Sequence, residues 1–198
     1  MQGTIKSAFP TAPMIVVALV ALLGGAQGVG TPASAAQRPA AAEKSPPGDI
    51  PDSQVFITYA SPLGFALKVP EGWARTERQD GARFADKYNA IDIAVATRPT
   101  VPTAASVAEH EAVELARLGR AVNVQAIRNV TLQAGPAILI VYTSNSEPNP
   151  VTNKPLRVES RRYLIQRHGK LVTLDFSAPL GADNADQWKL MSNSFQWR

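Results

Sequence analysis

From Val55 onward, apolar and polar positions alternate in short runs, the period-two pattern of half-buried strands. Residues 55–59 are β-prone and are stopped by Ser61-Pro62-Leu63-Gly64, after which Phe65, Leu67 and Val69 alternate with Ala66 and Lys68. Pro70-Glu71-Gly72 turns the chain into Trp73. Phe84 falls in a short extended piece, and Ile91, Ile93 and Val95 alternate in another, where Ala94 and Ala96 leave room for something packed above them. The period then changes to that of a helix. Ser106-x-x-Glu109 reads as a capping box, with Ala108, Ala112, Leu115 and Leu118 as the apolar stripe and Gly119 as a left-handed residue closing the helix.

Longer strands follow. Residues 122–132 lead through Gln133-Ala134-Gly135-Pro136 into residues 137–142, which are apolar on both faces and predict a central strand covered on both sides. Beyond a polar loop over 144–155, residues 157–166 pair with 170–176 through Arg167-His168-Gly169-Lys170. This is a two-residue hairpin turn, whose positive φ His and Gly tolerate. Asp183 is placed to cap a last helix, with Asp186 three residues on and Trp188, Met191 and Phe195 as its buried stripe. Antiparallel runs with two helices, instead of strict strand–helix alternation, make this an α+β chain.

The first quarter reads differently. Residues 14–23 are continuously apolar, preceded by the single charge of Lys6 and followed by a glycine-rich break and Ala33-Ser34-Ala35. That order describes a secretory signal peptide over 1–35. Its ten-residue centre falls short of the roughly 20 needed to span a bilayer; extending it through Gly24, Gly25, Gly28 and Gly30 gives the competing reading of an uncleaved anchor. Residues 36–53 are Ala/Pro-rich without periodicity and read as a flexible tether. The folded domain is expected over 54–198, in an exported protein that is periplasmic or extracellular and soluble once the signal is cleaved.

Composition narrows the chemistry. The chain of 198 residues contains no cysteine, which excludes a disulfide scaffold, thiolate metal sites, a cysteine nucleophile and lipid attachment at a lipobox. A net charge of +4 is mild, and basic residues are interspersed with acidic ones, so nucleic acid is not an expected partner. The one dense basic group, around Arg157, Arg161 and Arg162, reads either as a docking surface for an anionic partner or as the solvated face of a hairpin. The proline-stiffened loop over 145–155 is a candidate contact element, with Asn149 and Lys154 added to the three arginines as candidate partner-binding residues. Asp175 between Leu174 and Phe176 is expected to pair across strands with Arg161 or Arg162. Two isolated histidines, His110 and His168, supply neither a zinc set nor a catalytic constellation. Helix capping accounts for Asp183 and Asp186 better than a calcium loop does. No cofactor and no catalytic or metal-binding residue is expected.

Several segments together resemble the PsbP family. Tyr59-Ala-Ser-Pro62-Leu-Gly64-Phe65-x-Leu67-x-Val69-Pro70-x-Gly72-Trp73 is similar to its opening motif, and Phe84 with Asp86 to its following strand. The late hairpin Tyr163-Leu-Ile-x-x-x-Gly169-Lys170-Leu-Val-Thr-Leu174 and the closing Trp188-x-x-Met191-x-x-Ser194-Phe195 fit as well. The resemblance implies a central antiparallel β-sheet flanked by helices. It also implies a binding or accessory role, as in an extrinsic photosystem II subunit, a Ran-binding import factor and bacterial envelope proteins of the LpqN type. The expectation is a non-catalytic envelope domain that binds a protein or small ligand. Two alternatives stand beside it: an extrinsic subunit peripherally attached to a photosynthetic membrane complex, and a hydrolase using Asp175, His110 or Asp183. The Ala/Pro tether and the lack of a twin-arginine signal depart from the photosynthetic member.

Overall fold

A computed structural model of the chain describes residues 47–198, so the signal segment 1–35 and most of the tether lie outside the described residues. The elements run β1 (Phe56–Ser61), β2 (Phe65–Pro70), β3 (Ala74–Arg78), β4 (Gly81–Asp86), β5 (Asn89–Thr97), α1 (Ala104–Glu109), α2 (Glu111–Leu118), β6 (Asn123–Leu132), β7 (Gly135–Asn145), β8 (Arg157–Arg167), β9 (Lys170–Pro179), α3 (Ala185–Asn193) and β10 (Gln196–Trp197). Seven strands form one antiparallel sheet in the order β3-β4-β5-β9-β8-β7-β6, and β1, β2 and β10 form a second, small sheet. No helix among the described residues is long and apolar enough to cross a membrane.

Alternation along the long strands sorts side chains to two faces. Phe84, Ile91, Ile93, Leu139, Tyr163, Ile165, Leu174 and Phe176 face the main core, which is closed by the small sheet and by Trp188, Met191 and Phe195. Aromatic contacts tie these layers: Phe176 stacks on Trp188 with centroids 6.1 Å apart, and Phe65 on Phe195 at 5.8 Å. The opposite face carries Ile138, Ile140, Tyr142, Leu164 and Leu171, packed against Val107 of α1 and Leu115 of α2. The α+β architecture, an antiparallel sheet with helices on its flanks, is the one the sequence predicts. The β7 segment is indeed covered on both faces, but it is next to the edge of the sheet and not central, because both helices sit over its end of the sheet.

Local expectations fare unevenly. The helical segment begins earlier and is broken. Thr103 is the N-cap of α1, exchanging hydrogen bonds with Ser106, so Ser106 is the third helical residue instead of the cap. His110 leaves helical geometry and separates α1 from α2; Val107 and Ala112 are the buried positions, while Leu118 is exposed. Gly119 has φ −84°, so no left-handed closure occurs. Helix α3 is preceded by Asn184, not Asp183.

The β8–β9 hairpin forms as read, with His168 at φ 49° and Gly169 at φ 76°. Since asparagine occupies that first turn position with less strain than histidine, His168→Asn is expected to stabilise the domain by a few tenths of a kcal/mol. Thermal unfolding would read this as a small rise in midpoint.

Candidate functional site

The face that bears α1 and α2 is only half covered. Register places Arg83, Asp92, Asp175, Arg162 and Ile140 in one row across β4, β5, β9, β8 and β7. The next row holds Ala85, Ala90, Ser177, Ser160 and Tyr142. Four small residues in succession hollow out the sheet surface beyond the helices. The turn at 87–88 and the loop over 146–156 wall this hollow, giving an open cleft of about 820 Å³.

Its floor is charged, and its charges are paired with one another. Arg162 donates from Nε (2.8 Å) and Nη2 (2.5 Å) to Asp175 Oδ2, and the Tyr142 hydroxyl donates to the same oxygen at 2.7 Å. The guanidinium of Arg162 also lies 5.6 Å from the centre of the Tyr142 ring. One strand over, Asp92 accepts from both Arg78 and Arg83. Asp175 is only 8% exposed, and its Oδ1 has no hydrogen-bond partner among the described residues. Burial pushes the Asp175 carboxyl above the usual carboxylate range and Asp92 opposite it adds to this, while Arg162 and the Tyr142 hydroxyl pull the other way. Burial, followed by the Asp175 charge, pushes the Tyr142 phenol up as well.

The loop wall is braced from within. Asn149 Oδ1 accepts from the amides of Val151 and Thr152, the Asn149 amide donates to Lys154 O, and Ser146 and Leu156 bridge the loop's base. These bonds let a polar segment with three prolines hold one shape without a core of its own.

The candidate residues therefore separate. Asn149, Lys154 and Arg162 line the cleft. Arg161, the neighbour of Arg162 on β8, projects to the opposite face, where its guanidinium lies 5.5 Å from the centre of the Trp188 ring. Arg157 donates to Ala121 O, Asn145 Oδ1 and Thr143 Oγ1, bracing the end of β7. Arg161 and Arg162 cannot form one patch, since successive side chains of a strand alternate between faces. The Asp175 partner is Arg162. The cleft residues Tyr142, Ser160 and Ser177 do not stand out in the sequence; their signal was a tyrosine within an apolar run and two serines of like parity on paired strands.

The residues of the hydrolase alternative lie apart. His110 sits at the α1–α2 break, its Nδ1 2.9 Å from Ser106 O. Asp183 precedes α3 on the far side of the sheet, where its amide donates to Asp49. Neither lines the cleft that holds Asp175.

No protein-family model matches the chain, and neither does any curated protein sequence. Among solved structures, the domain is similar to cyanobacterial PsbP (CyanoP) from Synechocystis sp. PCC 6803, with a TM-score of 0.55 and 15% identity over 76% of this chain and 98% of that one. It is also similar to the Saccharomyces cerevisiae Ran-binding protein Mog1p (TM-score 0.49, 12% identity, 72% of this chain and 95% of that one). A third likeness is to LpqN, involved in cell envelope biogenesis of Mycobacterium tuberculosis (TM-score 0.45, 15% identity, 72% and 89%). At these identities the likeness is one of fold: the domain has the PsbP-like fold.

Proposed function

We propose that this chain is an exported, non-catalytic binding or accessory domain of the bacterial cell envelope that engages a protein or small ligand through the cleft side of its seven-stranded sheet. The observation that carries this reading is the cleft itself, an open polar hollow whose buried charges are already bonded to one another. Tyr142, Asp175 and Arg162 hold each other in place, so they form a fixed recognition surface instead of a free base or nucleophile. The braced loop beside them presents Asn149 and Lys154 in one geometry, which lowers the entropic cost of binding. The PsbP-like fold is compatible with an accessory role, and the partner has to be read from this chain's own surface.

Export and contact are tested separately. Alkaline phosphatase, active only outside the cytoplasm, is expected to be active when fused behind residue 53, and the mature chain is expected to begin at Ala36. An inactive fusion would remove the envelope from the proposal. A photo-crosslinking residue at Asn149 should trap one discrete adduct in cells, lost in Lys154→Glu. Adducts at Arg161 but none at Asn149 would move the contact to the opposite face.

A further inference from the structure

The cleft carries a charge imbalance that its own ion pairs do not remove. Its anions are Asp92, Glu147 and Asp175. Arginines engage every one of them: Arg78 and Arg83 with Asp92, Arg120 with Glu147, and Arg162 with Asp175. Two further cations line the same hollow, Lys87 from the turn between β4 and β5 and Lys154 from the 146–156 loop. Neither makes an ion pair among the described residues. The hollow therefore presents positive charge from two separate walls, while each carboxylate of its own lining is already engaged by an arginine.

Lys87 is also fixed in place by its turn. Asp86 and Asn89 are register partners, so Lys87 and Tyr88 alone make the turn. Lys87 has φ 46°, a region that glycine enters without strain and lysine does not. A two-residue turn requires that φ of its first residue, so the backbone holds Lys87 at the mouth of the cleft, where its ammonium meets no carboxylate among the described residues. Below it, Arg162 commits Nε and Nη2 to Asp175, which fixes the guanidinium and leaves Nη1 outside that pair. The serine hydroxyls of Ser160 and Ser177 line the floor as further donors.

We propose that the cleft binds a small oxyanion ligand, a carboxylate or a phosphate ester, between Lys87 and Lys154 and above Arg162. This rests on the cleft-side reading of function and specifies its ligand. A hollow of about 820 Å³ matches the size of a small-molecule site, and its excess cationic rim selects for negative charge.

The test is titration of the full chain with citrate and, separately, with glycerol 3-phosphate, followed by backbone amide NMR at about 50 mM salt. Saturable shifts are expected at Lys87, Asn89, Lys154 and Ser160, and raising salt to about 0.5 M should weaken binding several-fold as exposed charges are screened. Lys87→Gly combined with Lys154→Met should weaken it by about tenfold. Lys87→Gly alone should leave the melting temperature unchanged or raise it, since glycine relieves the turn. A response to citrate alone assigns carboxylates, and one to glycerol 3-phosphate alone assigns phosphate esters.

The proposal is overturned if neither probe shifts cleft signals at millimolar concentration, if the shifts fall elsewhere, or if the double variant binds as well as the parent. If both probes are silent while Asn149 still traps a partner, the oxyanion site fails and the binding role stands. Should the probes saturate the cleft while no adduct forms at Asn149, the small ligand stands and the protein partner falls.

Discussion

Arg162→Met is expected to destabilise the domain by about 3 kcal/mol at pH 7, because it strips the partner from a buried carboxylate. Asp175 is 8% exposed and would keep only the Tyr142 hydroxyl. The figure sits at the low end for a broken buried pair because a quarter of the Arg162 side chain reaches solvent, so water can enter once it is gone. Asp175→Asn should cost less, about 1–2 kcal/mol, since the orphaned guanidinium can hydrate and the amide still accepts from Tyr142. The double variant should recover much of the Arg162→Met loss, as the pair forms one coupled unit. Chemical denaturation of the four proteins checks the cycle, and strictly additive losses would show that the two groups act independently.

The pH dependence carries a definite sign. Asp175 is raised above its ordinary value in the folded protein, burial being the main cause. A carboxyl so shifted contributes stability fully below its unfolded pKa, near 3.9, and loses that contribution as pH rises through the folded pKa. The groups that set the shift are Arg162 and Tyr142, which favour the ionised form, and Asp92, which opposes it. Removing Arg162 takes away the strongest opposing influence and moves the carboxyl further up. The deficit of Arg162→Met relative to the parent should therefore shrink between pH 7 and pH 4, as Asp175 takes up a proton in the variant. A deficit independent of pH over that interval would locate the damage in packing instead of charge.

The same pair shows what the sequence could and could not convey. An aspartate between leucine and phenylalanine on one strand, and adjacent arginines on its partner, are enough to announce a cross-strand ion pair. Which arginine takes part depends on register, and register follows from the hairpin turn at His168-Gly169, also readable, so Arg162 opposite Asp175 was within reach. The hollow beside it was not. Its floor combines Ala85, Ala90, Ser177 and Ser160 from four strands, and their adjacency follows from a strand order that places β9 between β5 and β8. Local periodicity contains no information on that order. Strand β3 escaped for a different reason: Ala74-Arg-Thr-Glu-Arg78 is exposed throughout and shows no apolar alternation, being held by backbone pairing to β4 at the sheet edge. The α1–α2 break escaped because apolar spacing continues past His110 while the backbone does not.

Ile50→Ala in the full chain is expected to lower stability by about 2–3 kcal/mol and the melting temperature by about 5–10 °C. Residues 36–53 read as a tether because alanine and proline dominate and no period appears, yet packing reaches back to Gly48. Ile50 is 4% exposed within the main core. Its amide donates to Asn184 Oδ1 at 2.7 Å, and Asn184 Nδ2 donates to Gly48 O and Asn89 Oδ1. Asn184 is the N-cap residue of α3, but its side chain makes no capping bond and is committed instead to this incoming segment. A single isoleucine in a polar, proline-rich stretch gives no periodic signal, so periodicity starts at Gln54 although Ile50 already packs in the core. The loss on mutation is bounded by the free energy of docking, because the segment can release entirely once its anchor is gone. Comparing chains that start at Pro47 and at Gln54 measures that bound: the shorter should melt at least as low as Ile50→Ala. Equal melting of all three would mean that residues 48–53 add nothing to the fold. Because Asn184 also reaches Asn89 on the cleft wall, loosening this anchor is expected to disturb amide signals around Asn89 before the rest of the sheet.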